Sequence, residues 1–360
     1  MRLSILSRYD ALGASSRLRM LQYVPALREA GFDVDVHPLL DDRYVQGLYA
    51  GHIPKAHVVR LYFRRLRKLL SDRRYDVAWV EKELFPWLPA MLEKRLIPTR
   101  TALALDYDDA VFHRYDAHRS LLVRSVLGRK IAAVMRRADL VTTGNQYLAG
   151  YARAAGSRRV EWLPTVIDLD RYALQPVRAA RRVGQPVTIG WIGSPATADY
   201  LGAVAAVLRQ LQDRHAVRCV AIGARPDQLV GTPFEHSDWT AGTEAALLQH
   251  FDIGIMPLQD APWERGKCGY KLIQYMASGL PVVASPVGVN REIAVDGDNG
   301  FLAADDRQWF DALERLVTDP ALRERMGARG RRMVEQSYCL QVQAPRLVDM
   351  LRETGSGGGR

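Results

Sequence analysis

The chain has 360 residues, 48% of them apolar and 25% charged, which is enough apolar material for two buried cores and excludes a disordered chain. Three cysteines, Cys219, Cys268 and Cys339, are too few and too far apart for a disulfide framework or a zinc site, and point to a reducing cytoplasm. The net charge of +10 belongs to one half: residues 1–165 hold 28 Lys and Arg against 17 Asp and Glu, and the remainder is nearly neutral, so the first half is expected to face an anionic surface or partner.

The opening MRLSILSRYD has too short an apolar stretch for a secretory signal and reads as a first strand at 3–6. The loop at 8–19, RYDALGASSRLR, leads from it into a helix. Gly13 and Ser15 there allow close approach to a ligand, and Arg17 can pair with a phosphate or carboxylate; a tight turn with a serine cap is the alternative. The loop is neither GxGxxG nor GxxxxGK(S/T), so the two commonest nucleotide motifs are absent. Further strands are expected at 34–38, 77–80, 102–105 and 140–142. Between the second and third, residues 56–70 place Arg60, Arg64, Arg67 and Lys68 at helical spacing, with Val59, Phe63, Leu66 and Leu70 as a separate apolar stripe. More basic residues follow between 119 and 137. This reads as an ordinary surface helix or as attachment to an anionic inner leaflet. Directly after the strand at 102–105 comes Asp106-Tyr107-Asp108-Asp109, then His113. Carboxylates at a strand's carboxyl end can hold an acceptor hydroxyl or act as a base, and can equally cap a helix or hold arginines.

Residues 161–176 carry a proline at each end and read as the connection between two α/β sets. The second set has strands at 187–192, 217–222, 253–256 and 282–284. Gly193 and Ser194 end the first of these, where a glycine leaves room for a ligand. Trp239 precedes a helix and either stacks on a base or is buried. The segment 266–286, GKCGYKLIQYMASGLPVVASP, reads as a glycine loop, a helix, a Gly-Leu-Pro stop and a buried strand. It sets Lys267, Lys271 and the backbone of Gly269 and Tyr270 at a helix N-terminus, an arrangement suited to a phosphate. Cys268 lacks a nearby activating histidine and reads as a packing residue. The uncharged run 272–290 approaches the roughly 20 residues of a membrane span but is broken by glycines and prolines. A last helix is expected at 340–353, then a flexible tail at 354–360.

The stretch Met276-Ala277-Ser278-Gly279-Leu280-Pro281-Val282-Val283 resembles the retaining glycosyltransferases of family 4, and the KLIQYMA core is similar to one branch of them. Gly266 and Gln274 stand where many members have glutamates. The resemblance implies a GT-B fold of two Rossmann-like domains facing each other across a cleft, an acceptor domain at 1–165 and a donor domain at 166–339. It implies transfer of a sugar from a nucleotide-diphosphate sugar to a hydroxyl of a glycan or lipid-linked acceptor, without a metal or other cofactor. Lys267 and Lys271 are the cations expected on the diphosphate and Gln274 the ribose contact. Gly193, Ser194, Trp239, Gly269 and Tyr270 are expected around the donor, and Gly13, Ser15, Arg17, Asp108, Asp109 and His113 on the acceptor side. The expected setting is the cytoplasm, with peripheral contact to the inner face of the membrane. A catalytically silent nucleotide-sugar or polyanion binder is the competing reading. A nucleic-acid binder is disfavoured because no such module is recognisable.

Overall fold

Short Val-, Leu- and Ala-rich runs such as VAWVE and ALALDY are buried along their whole length, as strands covered by helices on both faces must be. The computed structural model describes residues 1–71, 74–172, 174, 185–240 and 242–357. Its contacts divide it into two units. The first comprises Met1–Val166, Arg265–Cys268 and the C-terminal segment from Leu340; the second comprises the described parts of Ile167–Glu264 and Gly269–Cys339. The chain passes from one to the other inside the expected connection, of which positions 173, 175 and 176 lie outside the described residues.

The first unit is a six-stranded parallel sheet in the order β2-β1-β3-β4-β5-β6. Its strands are β1 (Arg2–Leu6), β2 (Asp33–Val36), β3 (Val77–Glu81), β4 (Ala102–Tyr107), β5 (Leu140–Thr143) and β6 (Val160–Trp162). The second unit is also parallel, in the order β12-β11-β10-β7-β8-β9. It contains β7 (Val187–Ile192), β8 (Val217–Ile222), β9 (Phe234–Ser237), β10 (Ile253–Met256), β11 (Val282–Ala284) and β12 (Gly300–Leu302). Strand order reverses between β1 and β3 and between β7 and β10. In open α/β sheets the loops outside the carboxyl ends of strands at such a reversal splay to opposite faces, which is where a ligand crevice is expected.

The C-terminal helix Leu340–Gly357 covers the first sheet, burying Leu347 and Leu351 against Leu3, Ile5 and Trp79. It runs past the expected start of a flexible tail at 354. Thr354 is buried with its hydroxyl donating to Met350 O at 2.6 Å, and Gly355 packs against Met1. Residues 358–360 lie outside the described residues. The run 272–290 is divided between the helix Tyr270–Ala277 and β11, and among the described residues no helix is long and apolar enough to cross a membrane.

One helix departs from its sequence pattern. In Lys55–Ser71 the buried face is Leu61, Arg65 and Leu69, whereas Val59, Phe63 and Leu70 of the expected apolar stripe are 54%, 66% and 55% exposed. The spacing 61, 65, 69 is as helical as the expected stripe, and an arginine occupies its middle.

Candidate functional site

In the first unit, the carboxyl ends of β1, β3 and β4 gather a polar cluster. The Lys82 ammonium is its centre: 2.8 Å from Asp108 Oδ1, 3.6 Å from Asp109 Oδ2, 3.9 Å from Glu81 Oε1, and donating to Ser15 Oγ at 3.1 Å. Lys82 holds a left-handed backbone, φ +63°, which a side chain with a Cβ adopts at a cost of roughly 1–2 kcal/mol. The surroundings over-determine it. Its N–H donates to Asp106 O at 2.9 Å and its carbonyl accepts from the Tyr107 hydroxyl at 2.6 Å. Ser15 Oγ lies 2.9 Å from Glu81 Oε1 and 2.6 Å from Asp108 Oδ2, one hydroxyl proton for two carboxylates. Ser16 Oγ donates to the other oxygen of Glu81, which also accepts from Arg8 N–H at 2.7 Å.

Asp106 has a different task. It is fully buried and grips the Arg19 guanidinium through both oxygens at 2.6 and 2.8 Å, and Arg19 in turn donates to Leu163 O at 2.8 Å. It is a structural ion pair. Burial opposes ionisation of Asp108, but the charges of Lys82 and Arg19 and hydrogen bonds from Lys82 and Ser15 hold its carboxyl down to about 2. Asp109, with 31% of its side chain in solvent, is pushed the other way by burial; Lys82 pulls it down, the Asp108 charge raises it and Lys267 lowers it. Among the described residues no group of three His, Cys, Asp or Glu is placed to hold a metal ion, and the Lys82 ammonium already occupies the centre of this carboxylate set.

Segment Arg265–Cys268 is tied to this unit. Asn145 Nδ2 donates to Lys267 O at 2.8 Å, Gly266 packs on Ala110, and the Cys268 thiol donates to Asp108 O at 3.0 Å. Burial pushes the Cys268 thiol well above its usual range, so it is no thiolate nucleophile. Lys267 therefore belongs with the first unit and Asp109, not with the donor domain where the sequence placed it. Gly13 caps the helix Ala14–Arg19 and packs on Tyr9, and Arg17 Nη1 donates to Ala11 O at 3.2 Å. His113 engages Asp116 through Nδ1 at 3.0 Å and the Tyr147 hydroxyl through Nε2 at 2.7 Å, which leaves neither ring nitrogen for Asp108 or Asp109.

In the second unit the carboxyl edge of β7 brings three expected residues together. The Lys271 ammonium lies 5.4 Å from the centre of the Trp191 ring. A Cβ on Gly193 would lie 2.4 Å from Trp191 and 2.8 Å from Lys271 Cε, so only glycine leaves the lysine its path. Trp239 reaches the same edge, where its Cβ would lie 3.2 Å from a Cβ on Gly223, and its indole N–H donates to Glu244 at 3.1 Å. Gly269 caps the helix Tyr270–Ala277 at φ +66°, where a Cβ would also strike Ile293 at 2.4 Å. Ser194 begins the 3-10 segment Pro195–Val204 and its carbonyl accepts from Thr197. Gln274 is only 3% exposed and donates to the Tyr172 hydroxyl at 3.0 Å; Tyr270 bonds to the same hydroxyl. That internal partner takes up one donor of the amide expected on a ribose.

Glu81 and Lys82 were not expected. Their signal was present: VAWV is followed at once by Glu-Lys-Glu, just as ALAL is followed by Asp-Tyr-Asp-Asp.

Two parallel six-stranded α/β units, each with polar groups at the carboxyl edge of its reversal point, have the GT-B fold. Over the whole chain the structure is similar to sucrose-phosphate synthase from Thermosynechococcus elongatus, with a TM-score of 0.73 and 15% identity over 99% of each chain. It is similar also to Anabaena HepE in complex with UDP-glucose, with a TM-score of 0.71 and 15% identity over 98% of this chain and 100% of that one. In sequence, residues 186–319 match the family described as Glycosyl transferases group 1. A stretch of 106 residues is 36% identical to alpha-D-kanosaminyltransferase of Streptomyces kanamyceticus, covering 29% of this chain and 27% of that protein. The matched stretches span 14% to 27% of the length of the curated relatives.

Proposed function

We propose that the protein is a retaining glycosyltransferase of the family 4 branch, moving a sugar from a nucleotide-diphosphate donor to a hydroxyl of a glycan or lipid-linked acceptor. Bacterial surface polysaccharide or glycolipid synthesis is the expected context. The observation that carries the reading is Lys271, held on Trp191 beside Gly193 at the head of a glycine-capped helix, inside the segment that matches the glycosyl transferases. As the glycosidic bond lengthens, the leaving diphosphate gains negative charge. A fixed ammonium and helix-end N–H groups stabilise that charge more than they stabilise the bound substrate. The UDP-glucose complex of the structural relative supports a nucleotide-sugar as donor.

On the acceptor side, Asp108 is committed to Lys82 and Ser15, whereas Asp109 keeps solvent exposure and is the carboxylate we assign to an acceptor hydroxyl. The Lys267 charge lowers the Asp109 pKa, against a larger upward push from burial. No metal or other cofactor enters this scheme. The competing reading, a binder without turnover, draws on the buried Gln274 and on Gly266 standing where relatives have glutamates. A panel of GDP-, UDP- and dTDP-sugars in a thermal-shift assay is expected to single out one base with a clear rise in midpoint. No shift with any of them contradicts the donor assignment, and a shift without turnover selects the silent binder.

For the first unit we propose peripheral contact with an anionic membrane, on the strength of its surplus of basic residues and the exposed Val59, Phe63 and Leu70. Phe63→Ser is expected to weaken flotation with phosphatidylglycerol vesicles several-fold. Equal flotation of variant and wild type contradicts it.

A further inference from the structure

Five Lys or Arg side chains are buried in the described residues of the first unit, and four of them have carboxylate partners. Arg8 pairs with Glu83, Arg19 with Asp106, Lys82 with Asp108, and Lys130 with both Glu83 and Glu93. The fifth is Arg65, with 3% of its surface exposed. Its Nη2 donates to Ser7 O and His37 O at 2.6 and 2.7 Å, while Nε and Nη1 are enclosed without a hydrogen-bond partner. Among the described residues no carboxylate forms an ion pair with Arg64, Arg65 or Arg67. A guanidinium does not shed its charge at neutral pH; the Glu81 and Glu93 carboxylates act on this one through space without contacting it, so a buried cation with two unpartnered nitrogens would gain from an anion in contact.

The surroundings are built for one. Arg65 lines a cavity of about 390 Å³ with His37, Arg64, Arg67, Lys68 and Ser71. Positions 64, 67, 68 and 71 share one face of the Lys55–Ser71 helix, so like charges crowd together there, and the helix has no acidic residue to relieve them. Burial, with the Arg64 charge next, pulls the Arg65 pKa below the usual arginine range, the direction expected of a cation awaiting its partner. The cavity lies where the chain leaves β2, and Arg65 reaches from it to Ser7 just after β1, near enough to the Lys82 cluster for the Glu81 charge to act on it.

We propose that this cavity is an oxyanion site that takes a phosphoryl group, carried either by a soluble phosphate ester or by a lipid headgroup. Guanidinium forks match the paired oxygens of a phosphate, and the ammonium of Lys68 adds a donor from another direction. A volume near 390 Å³ is that of a small-molecule site and leaves room for more than a bare ion, which favours an ester.

The test uses the full chain, titrated with inorganic phosphate and glycerol 3-phosphate by calorimetry, and floated with phosphatidylglycerol vesicles. Arg64→Gln/Arg67→Gln is expected to weaken binding at least ten-fold, whereas Arg325→Gln/Arg332→Gln on the exposed surface of the second unit, equally depleted in charge, is expected to bind like the wild type. Arg65→Met removes two carbonyl partners and risks the fold; the double variant leaves Arg65 in place. Binding of soluble phosphate assigns the site to a free ester, and vesicle binding alone assigns it to a headgroup. Equal losses in both double variants, unchanged binding in Arg64→Gln/Arg67→Gln, or no binding by the wild type overturns the site.

Discussion

Lys271→Ala is expected to lower kcat for sugar transfer by about 10²- to 10³-fold, the loss seen when one fixed donor is withdrawn from a developing negative charge. The effect belongs in kcat as much as in kcat/KM, because the leaving diphosphate is more negative in the transition state than in the bound donor. The fold should survive. Lys271 is half-buried, and its contact with the Trp191 ring contributes about 1 kcal/mol, so an intact far-UV spectrum with a small drop in urea midpoint is expected. A variant that turns over like the wild type would remove Lys271 from the chemistry.

Lys82→Met is expected to cost about 3–5 kcal/mol of stability, because it strands Glu81 and Asp108, 0% and 12% exposed in their side chains, without their shared cation. The pH dependence should also change sign. In the wild type the Asp108 carboxyl is held at about 2, below its usual 3.8, so its contribution, on the order of 2 kcal/mol, is present above pH 4 and is lost as the pH falls from 4 towards 2. Without Lys82 the burial effect dominates and the same carboxyl rises. Its stability then lies at low pH and is lost as the pH climbs through the new, higher value. Urea melts from pH 3 to 7 separate the cases: stability rising with pH in the wild type and falling in the variant. Parallel curves would show that Lys82 does not hold the cluster.

The sequence made the interior of both sheets plain, and three of the four edges obscure. Nine strands are visible as apolar runs because parallel strands covered on both faces need them. The three it hid, Val160–Trp162, Phe234–Ser237 and Gly300–Leu302, are all edge strands of three or four residues; the first two are broken by a glutamate and the last is a bare Gly-Phe-Leu. At the site, Asp108 and Asp109 were legible as carboxylates at a strand end, and the segment carrying Lys271 was legible as a glycine loop running into a helix. Partners were not. That Lys82 would stand among the carboxylates with a left-handed backbone, that Lys267 would join the first unit, and that Arg65 rather than Phe63 would turn inward all depend on contacts between distant segments. Helical spacing alone fits the Arg65 face and the Phe63 face equally well.

The claim that a diphosphate is read by Lys271 at the carboxyl edge of β7 is tested most directly by calorimetry. The nucleoside, its monophosphate and its diphosphate, for the base selected by thermal shift, should be titrated into wild type and Lys271→Ala. The variant should lose at least ten-fold in affinity for the diphosphate while binding the nucleoside as the wild type does. Equal affinities for the diphosphate in the two proteins, or an equal loss for all three ligands, would contradict it.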